Sequence, residues 1–265
     1  MSQKITAHAP GTFCWVELTT TDQAAAEKFY SGLFGWTVSK TPMGPNEYYT
    51  IFQKDGDDAA AAYTIQEEQK KQGVPPNWLP YVSVTDVAKS AEQIKSLGGQ
   101  VVVGPMDVMD KGKMVVGVDP TGAVFALWQP VTHAGLGVLD EPNSLGWVEL
   151  MTHGVDKAKG FYTKLFPWTT DTMPMSTGGD YTLWKRGGEM AGGALEMPPQ
   201  AGNAPPNWLP YFAVSDVDKS HAKAKELGGS EVVPPTDIPQ TGRFSVLKDP
   251  QGAHFSIIKF SAPQA

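Results

Sequence analysis

The sequence predicts an α+β protein of four βαβββ modules with curved mixed sheets, arranged as two related domains. Three observations carry this prediction. First, residues 13–130 return as residues 145–260: GTFCWVELTTTD answers to SLGWVELMTHGVD, FYSGLFGW to FYTKLFPW, and PPNWLPYVSVTDVAKS to PPNWLPYFAVSDVDKS. Trp15 thereby maps to Trp147, Tyr49 to Tyr181 and Trp78 to Trp208. A period this long marks a duplicated domain and not a solenoid repeat. Second, each half contains a fainter echo, WVELTTTD over LPYVSVTD and LFGWTV over LGGQVV. Third, every copy runs in one order: strand, Thr-Asp helix start, amphipathic helix, stop signal, further strands.

The segment FCWVEL alternates two faces, Phe13, Trp15 and Glu17 against Cys14, Val16 and Leu18, which marks a strand. Large apolar groups stand on both faces, so the strand is expected within a covered, concave sheet. Thr21 or Asp22 offers an N-cap oxygen. Ala26, Phe29, Tyr30 and Leu33 then form one helical stripe, repeated as Ala158, Phe161, Tyr162 and Leu165. Gly35 stops the first helix and Pro167 its partner. Short strands are expected around 36–40, 47–53 and 59–65, separated by turns at Gly44-Pro45 and Asp55-Gly56. Asp86 caps a second helix carrying Val87, Ala91, Ile94 and Leu97, which ends at Gly98-Gly99, with strands near 100–103, 113–118 and 123–129. The expected domains are 1–130 (modules about 11–66 and 76–130) and 144–265 (modules about 144–198 and 206–261). Residues 131–143 form the linker.

At 265 residues the chain can hold two domains, each with its own core. Hydrophobic content of 41% and charged content of 18% are ordinary for a globular protein. A net charge of −7 argues against a nucleic-acid partner. Cys14 is the sole cysteine, which excludes an internal disulfide and suits a reducing compartment; it reads as buried filler on the helix side. Without a signal-peptide core or a long apolar run, a cytoplasmic protein with no membrane partner is expected. No Ser-His-Asp order, P-loop, GxGxxG or CxxC occurs.

The strands DPTGAVFALW and DPQGAHFSII, the joints FYSGLFGW and FYTKLFPW, and the helices TDVAKSAEQIKSLGG and SDVDKSHAKAKELGG resemble the vicinal oxygen chelate superfamily. That superfamily includes glyoxalase I, extradiol dioxygenases and fosfomycin- and bleomycin-resistance proteins. The resemblance covers nearly the whole chain and is nearest to tandem-domain, glyoxalase-like bacterial proteins. It implies paired modules whose curved sheets enclose a cavity. In metal-dependent members His, Gln or Glu ligands project from the first and last strand of each module. Those places fall near Trp15, Leu79, Trp147 and Leu209, near Ala126 and Ser256, and at Thr64 and Glu196. Only Glu196 ligates well, and a divalent ion needs three or more donors. No metal and no other cofactor is therefore expected. None of the five histidines recurs in the other copy; His8 and His133 lie in tail and linker.

What remains on the cavity side is a specific lining. Trp15, Glu17 and Thr19 point one way, as do Trp147, Glu149 and Met151. The inner echo places Tyr81 where Glu17 stands and Tyr211 where Glu149 stands. A carboxylate beside tryptophan in a concave sheet loses hydration, which raises its pKa toward a general-base range. Glu17 and Glu149 are thus the candidate catalytic carboxylates, set against a purely structural role. Trp15, Tyr49, Tyr81, Trp128, Trp147, Tyr181, Glu196, Tyr211 and His254 are the candidate ligand contacts, with Trp78 and Trp208 as further aromatic wall candidates. Differences at 124/254 and 64/196 suggest more polar chemistry in the second half. The expected function is metal-free binding of a small aromatic, amphipathic or cationic molecule by an internal pseudo-dimer, itself a monomer or weak homodimer. The alternatives are a glyoxalase-like lyase, isomerase or dioxygenase using Glu as base and Tyr as acid, and a protein-interaction module with vestigial pockets.

Overall fold

The computed structural model describes residues 4–261 apart from 46, 176 and 177. The first half runs β1 (Phe13–Thr20), α1 (Gln23–Phe34), β2 (Thr37–Gly44), β3 (Glu47–Lys54), β4 (Asp57–Thr64), α2 (Glu67–Lys71), β5 (Asn77–Ser83), α3 (Val87–Ser96), β6 (Gln100–Val108), β7 (Gly112–Val118) and β8 (Val124–Pro130). The second repeats it: β9 (Leu145–Thr152), α4 (Val155–Leu165), β10 (Trp168–Pro174), β11 (Asp180–Arg186), β12 (Glu189–Glu196), β13 (Asn207–Ala213), α5 (Val217–Glu226), β14 (Ser230–Ile238), β15 (Gly242–Lys248) and β16 (His254–Phe260). The short helix α2 and the 3-10 turn Pro199–Ala201 carry too few residues to show a periodicity. No helix among the described residues is long and apolar enough to cross a membrane.

Each half makes one eight-stranded mixed sheet, in the orders β2-β3-β4-β1-β5-β8-β7-β6 and β10-β11-β12-β9-β13-β16-β15-β14. The two modules of a half therefore pair with each other, through the antiparallel β1–β5 and β9–β13 contacts at the sheet centres. Parallel pairs β1–β4 and β5–β8 follow from the helical crossover after the opening strand of each module. Asp22, Asp86 and Asp216 cap their helices by accepting the N–H of Ala25, Lys89 and Lys219, each at 3.0 Å.

One parity expectation is overturned. Phe13 does not share a face with Trp15, because Cys14 is an extra residue in a bulge: Phe13 pairs with Val82 and Trp15 with Tyr81. Phe13 instead packs on Trp168 and Trp208, at 5.7 and 5.3 Å between ring centres. Gly146 occupies the matching bulge, between Leu145, opposite Phe212, and Trp147, opposite Tyr211.

Nor does each half keep a core to itself. The helix-bearing faces of the two sheets meet at β5 and β13, while α1 packs with α5 and α3 with α4. Most buried apolar residues of both halves belong to one continuous cluster. Trp78 and Trp208 lie there and not on a pocket wall, because an even step along the strand from the tyrosine row would be needed to face the cavity. Trp78 Nε1 donates to Tyr30 Oη at 2.9 Å, and Tyr30 donates to Asp249 of the other half at 3.0 Å. Trp208 donates to Tyr162 at 2.9 Å in the same way, and Tyr162 faces Asp119. This back-to-back packing turns the opposite face of each sheet away from the shared core, with the middle of β1 and β9 at its centre.

Candidate functional site

In the first half, the sheet face turned away from the shared core is built around Glu17. Its Oε2 accepts Tyr49 O–H at 2.6 Å and its Oε1 accepts Tyr81 O–H at 2.9 Å. Trp15 Nε1 donates to Tyr49 Oη at 3.0 Å, which orders that phenol. The second half repeats the set: Tyr181 and Tyr211 each donate to Glu149 at 2.7 Å, and Trp147 Nε1 donates to Tyr181 Oη at 2.9 Å. Sequence distance hides this convergence, but strand order explains it. Trp and Glu stand two residues apart on the opening strand, while the tyrosines arrive from the third and fifth strands of the half.

Glu17 and Glu149 are 9% and 7% exposed. Burial pushes both carboxyls above their ordinary range, and the two phenol donors on each pull them part of the way back. Burial, then the neighbouring carboxylate, holds Tyr49, Tyr81, Tyr181 and Tyr211 well above the normal phenol value. These tyrosines therefore act as O–H donors and not as bases. Each carboxylate spends two acceptor positions on them out of roughly four, so acceptor capacity remains for a ligand O–H or N–H.

Around these sets the halves differ. The first face carries Thr19 and Tyr63, with Tyr63 Oη accepting Gln69 Nε2 at 2.8 Å. The second carries Met151 and Leu195 in those places. Leu209, Tyr211 and Ile258 form a small apolar cluster there with Trp147, Met151, Phe244, Val246 and Phe260. The second face is thus the more apolar, contrary to the expectation of more polar chemistry. Trp128 Nε1 donates to His133 O at 2.9 Å, and the His133 ring meets Trp15 edge-on at 4.9 Å. His133 lies in the expected linker, and nothing in its neighbourhood of the sequence marks it for a strand-built face.

Two candidates fall outside the clusters. Glu196 pairs with Thr152 while its neighbour Leu195 takes the cavity side, so its carboxylate faces α4 and accepts Val155 N–H at 3.1 Å as a helix-end group. His254 opens β16 opposite Lys248 in an exposed position, two residues short of Ser256, which lies beside Tyr211. Arg243 on β15 and Lys113 at the equivalent place on β7 are held in ion pairs away from these clusters: Arg243 binds Asp218 and Asp237 at 2.9 Å, and Lys113 lies 3.4 Å from Asp107. Two shallow depressions of about 330 and 370 Å3 include neither glutamate nor its tyrosines.

The residues at the family-derived ligand positions do not fit a chelated metal. Trp15, Leu79, Ala126, Trp147 and Leu209 lack a suitable donor, and Glu196 points away. Among the described residues, no three His, Cys, Asp or Glu side chains gather.

A profile of the Glyoxalase/Bleomycin resistance protein/Dioxygenase superfamily matches residues 12–127 and 144–257. "Putative glyoxylase CFP32" of Mycobacterium bovis is 41% identical over 262 residues, covering 98% of this chain and 99% of its own. "Anthracycline biosynthesis protein DnrV" of Streptomyces peucetius is 36% identical, covering 96% and 95%. In structure, the 2,3-dioxygenase LapB from Pseudomonas sp. KL28 superposes with a TM-score of 0.65 at 13% identity, over 96% of this chain and 94% of that one. The Mn(II)-bound glyoxalase from Novosphingobium aromaticivorans does so with a TM-score of 0.64 at 14% identity, over 96% and 86%. These two show a shared fold alone. The chain belongs to the Glyoxalase/Bleomycin resistance protein/Dioxygenase superfamily, as a tandem two-domain member.

Proposed function

We propose that the protein binds a small, planar aromatic or amphipathic molecule on its concave surface, without a chelated metal. One observation supports this above the others: the same Trp–Tyr–Glu–Tyr set is built twice, at the centre of each sheet, where a chelating relative would place ligand side chains. Aromatic faces beside a dehydrated carboxylate suit a ligand with a flat ring and one O–H or N–H donor or a positive charge. The name of the Streptomyces relative, an anthracycline biosynthesis protein, supports a polycyclic aromatic as the class to try first.

Quenching of tryptophan emission by 9-aminoacridine, a flat cationic ring, tests the reading in the presence of EDTA. Saturable quenching is expected. Trp147→Ala should weaken binding by about 0.5–2 kcal/mol, or about 2- to 30-fold. Absence of saturation, or a Trp147→Ala curve superimposable on the wild type, contradicts it.

A second reading is favoured by the raised carboxyl of Glu149. In it, Glu149 serves as general base and a tyrosine as acid in lyase or isomerase chemistry. The mycobacterial relative's name points the same way. Turnover of an α-ketoaldehyde–thiol adduct, lost in Glu149→Gln with the fold retained, would select this reading over simple binding.

A further inference from the structure

The two concave faces carry the same polar set, yet the chain itself treats them differently. Residues 131–139 do not hang between the halves. Leu136 is fully buried and its N–H donates to Cys14 O at 2.7 Å, while Gly137 N–H donates to Asp58 O at 2.7 Å. This stretch therefore bridges β1 and β4 just before Glu17 and Ala61, where the two strands begin to pair. His133 sets its ring against Trp15 and, at 6.3 Å, against Trp128, and its Nε2 lies 3.2 Å from Asp58 Oδ2. The N-terminal segment locks the stretch from outside. His8 Nε2 lies 2.8 Å from Leu136 O, and Ile5 N–H donates to Gly137 O at 3.0 Å. Gly135 makes the approach possible: at φ 122, an added Cβ would stand 2.1 Å from Cys14 O. Trp15 is consequently 6% exposed, whereas its counterpart Trp147 is only partly buried.

We propose that residues 131–139 are a built-in occupant of the first concave face, closing it with His133 over Trp15. The second half is then the chain's one ligand-accepting face. The inference rests on the reading of these faces as aromatic-ligand sites. It adds that occupancy is one per chain, and that access to the first face is set by the strap and not by the Glu–Tyr set.

Hydroxyl-radical footprinting of the full chain, read by mass spectrometry, tests the strap without any ligand. In the wild type, Trp15 should be oxidised a few-fold more slowly than Trp147. Its rate should rise toward that of Trp147 in His133→Ala, and also in Gly135→Ala, which pushes the strap off Cys14 O. Trp147 should not change in either variant, and circular dichroism verifies that they fold. Calorimetric titration with 9-aminoacridine should then give one site in the wild type and two in the opened variants. Equal oxidation of Trp15 and Trp147 in the wild type overturns the proposal. So does a Trp15 rate unmoved in both variants, or two acridine sites in the wild type. If acridine binds no form while the footprint behaves as expected, the ligand reading fails and the strap stands.

Discussion

Glu149 and Glu17 are unusual residues to place at the centre of a sheet, and their titration should be visible in stability. Burial raises both above the ordinary carboxyl value of 4.5, despite the tyrosine donors. The folded state thus holds these protons more tightly than the unfolded chain. Their contribution to stability is fully present below the unfolded pKa and is lost as pH rises through the folded pKa. In denaturant titrations, the stability of Glu149→Gln relative to wild type should accordingly improve as pH rises from about 4 toward neutrality. A gap independent of pH would show that the tyrosines fully offset burial. Gly193 offers a second handle, since an added Cβ would stand 2.0 Å from Tyr181 Oη. The clash reaches the ring itself, so the whole Tyr181 side chain must move and give up its bonds to Glu149 and Trp147. Gly193→Ala should therefore weaken aromatic-ligand binding several-fold and also lower the melting temperature, checked by titration and thermal melting.

At the scale of elements, the strand-helix order was legible because each module repeats the same signals: alternation, Asp cap, apolar stripe, stop. The site was legible in part, for the same reason. Glu17 and Glu149 stand out as lone acids on otherwise apolar strands, and the inner echo placed a tyrosine on the partner strand. Phe13, Trp78 and Trp208 were misplaced because a bulge at Cys14 and the side of the sheet that meets the other half are tertiary facts. Glu196 and His254 were misplaced because alternation near strand ends fixes neither orientation nor depth. His133 was out of reach, since its role depends on where the linker lands. The cross-half bonds make an element-scale prediction. Tyr30→Phe strands Trp78 Nε1 and Asp249 Oδ2 in the core, and should cost about 1–3 kcal/mol. In the other half, Tyr162→Phe strands Trp208 Nε1 and should cost stability for the same reason. Chemical denaturation measures both, and a neutral Tyr30→Phe would remove this bond from the account of how the halves adhere.

For the whole molecule, the shared core means that the duplication has not left two independent bodies. Phe13 sits among Trp168 and Trp208, and Phe34 and Trp36 pack on Phe212. Calorimetry should show a single cooperative transition, with calorimetric and van't Hoff enthalpies equal. Residues 144–265 alone should bind a hydrophobic dye and melt without cooperativity. Two resolved transitions would show that the halves fold separately.

Metal independence is the claim on which the functional account turns, and it is open to direct measurement. Protein stripped with EDTA is titrated with 9-aminoacridine and followed by tryptophan emission, then again after addition of Mn(II), Zn(II) or Fe(II). The account predicts the same dissociation constant in every case and no stoichiometric metal by elemental analysis. Binding that appears only with an added ion, or one tightly held ion per half, would contradict it.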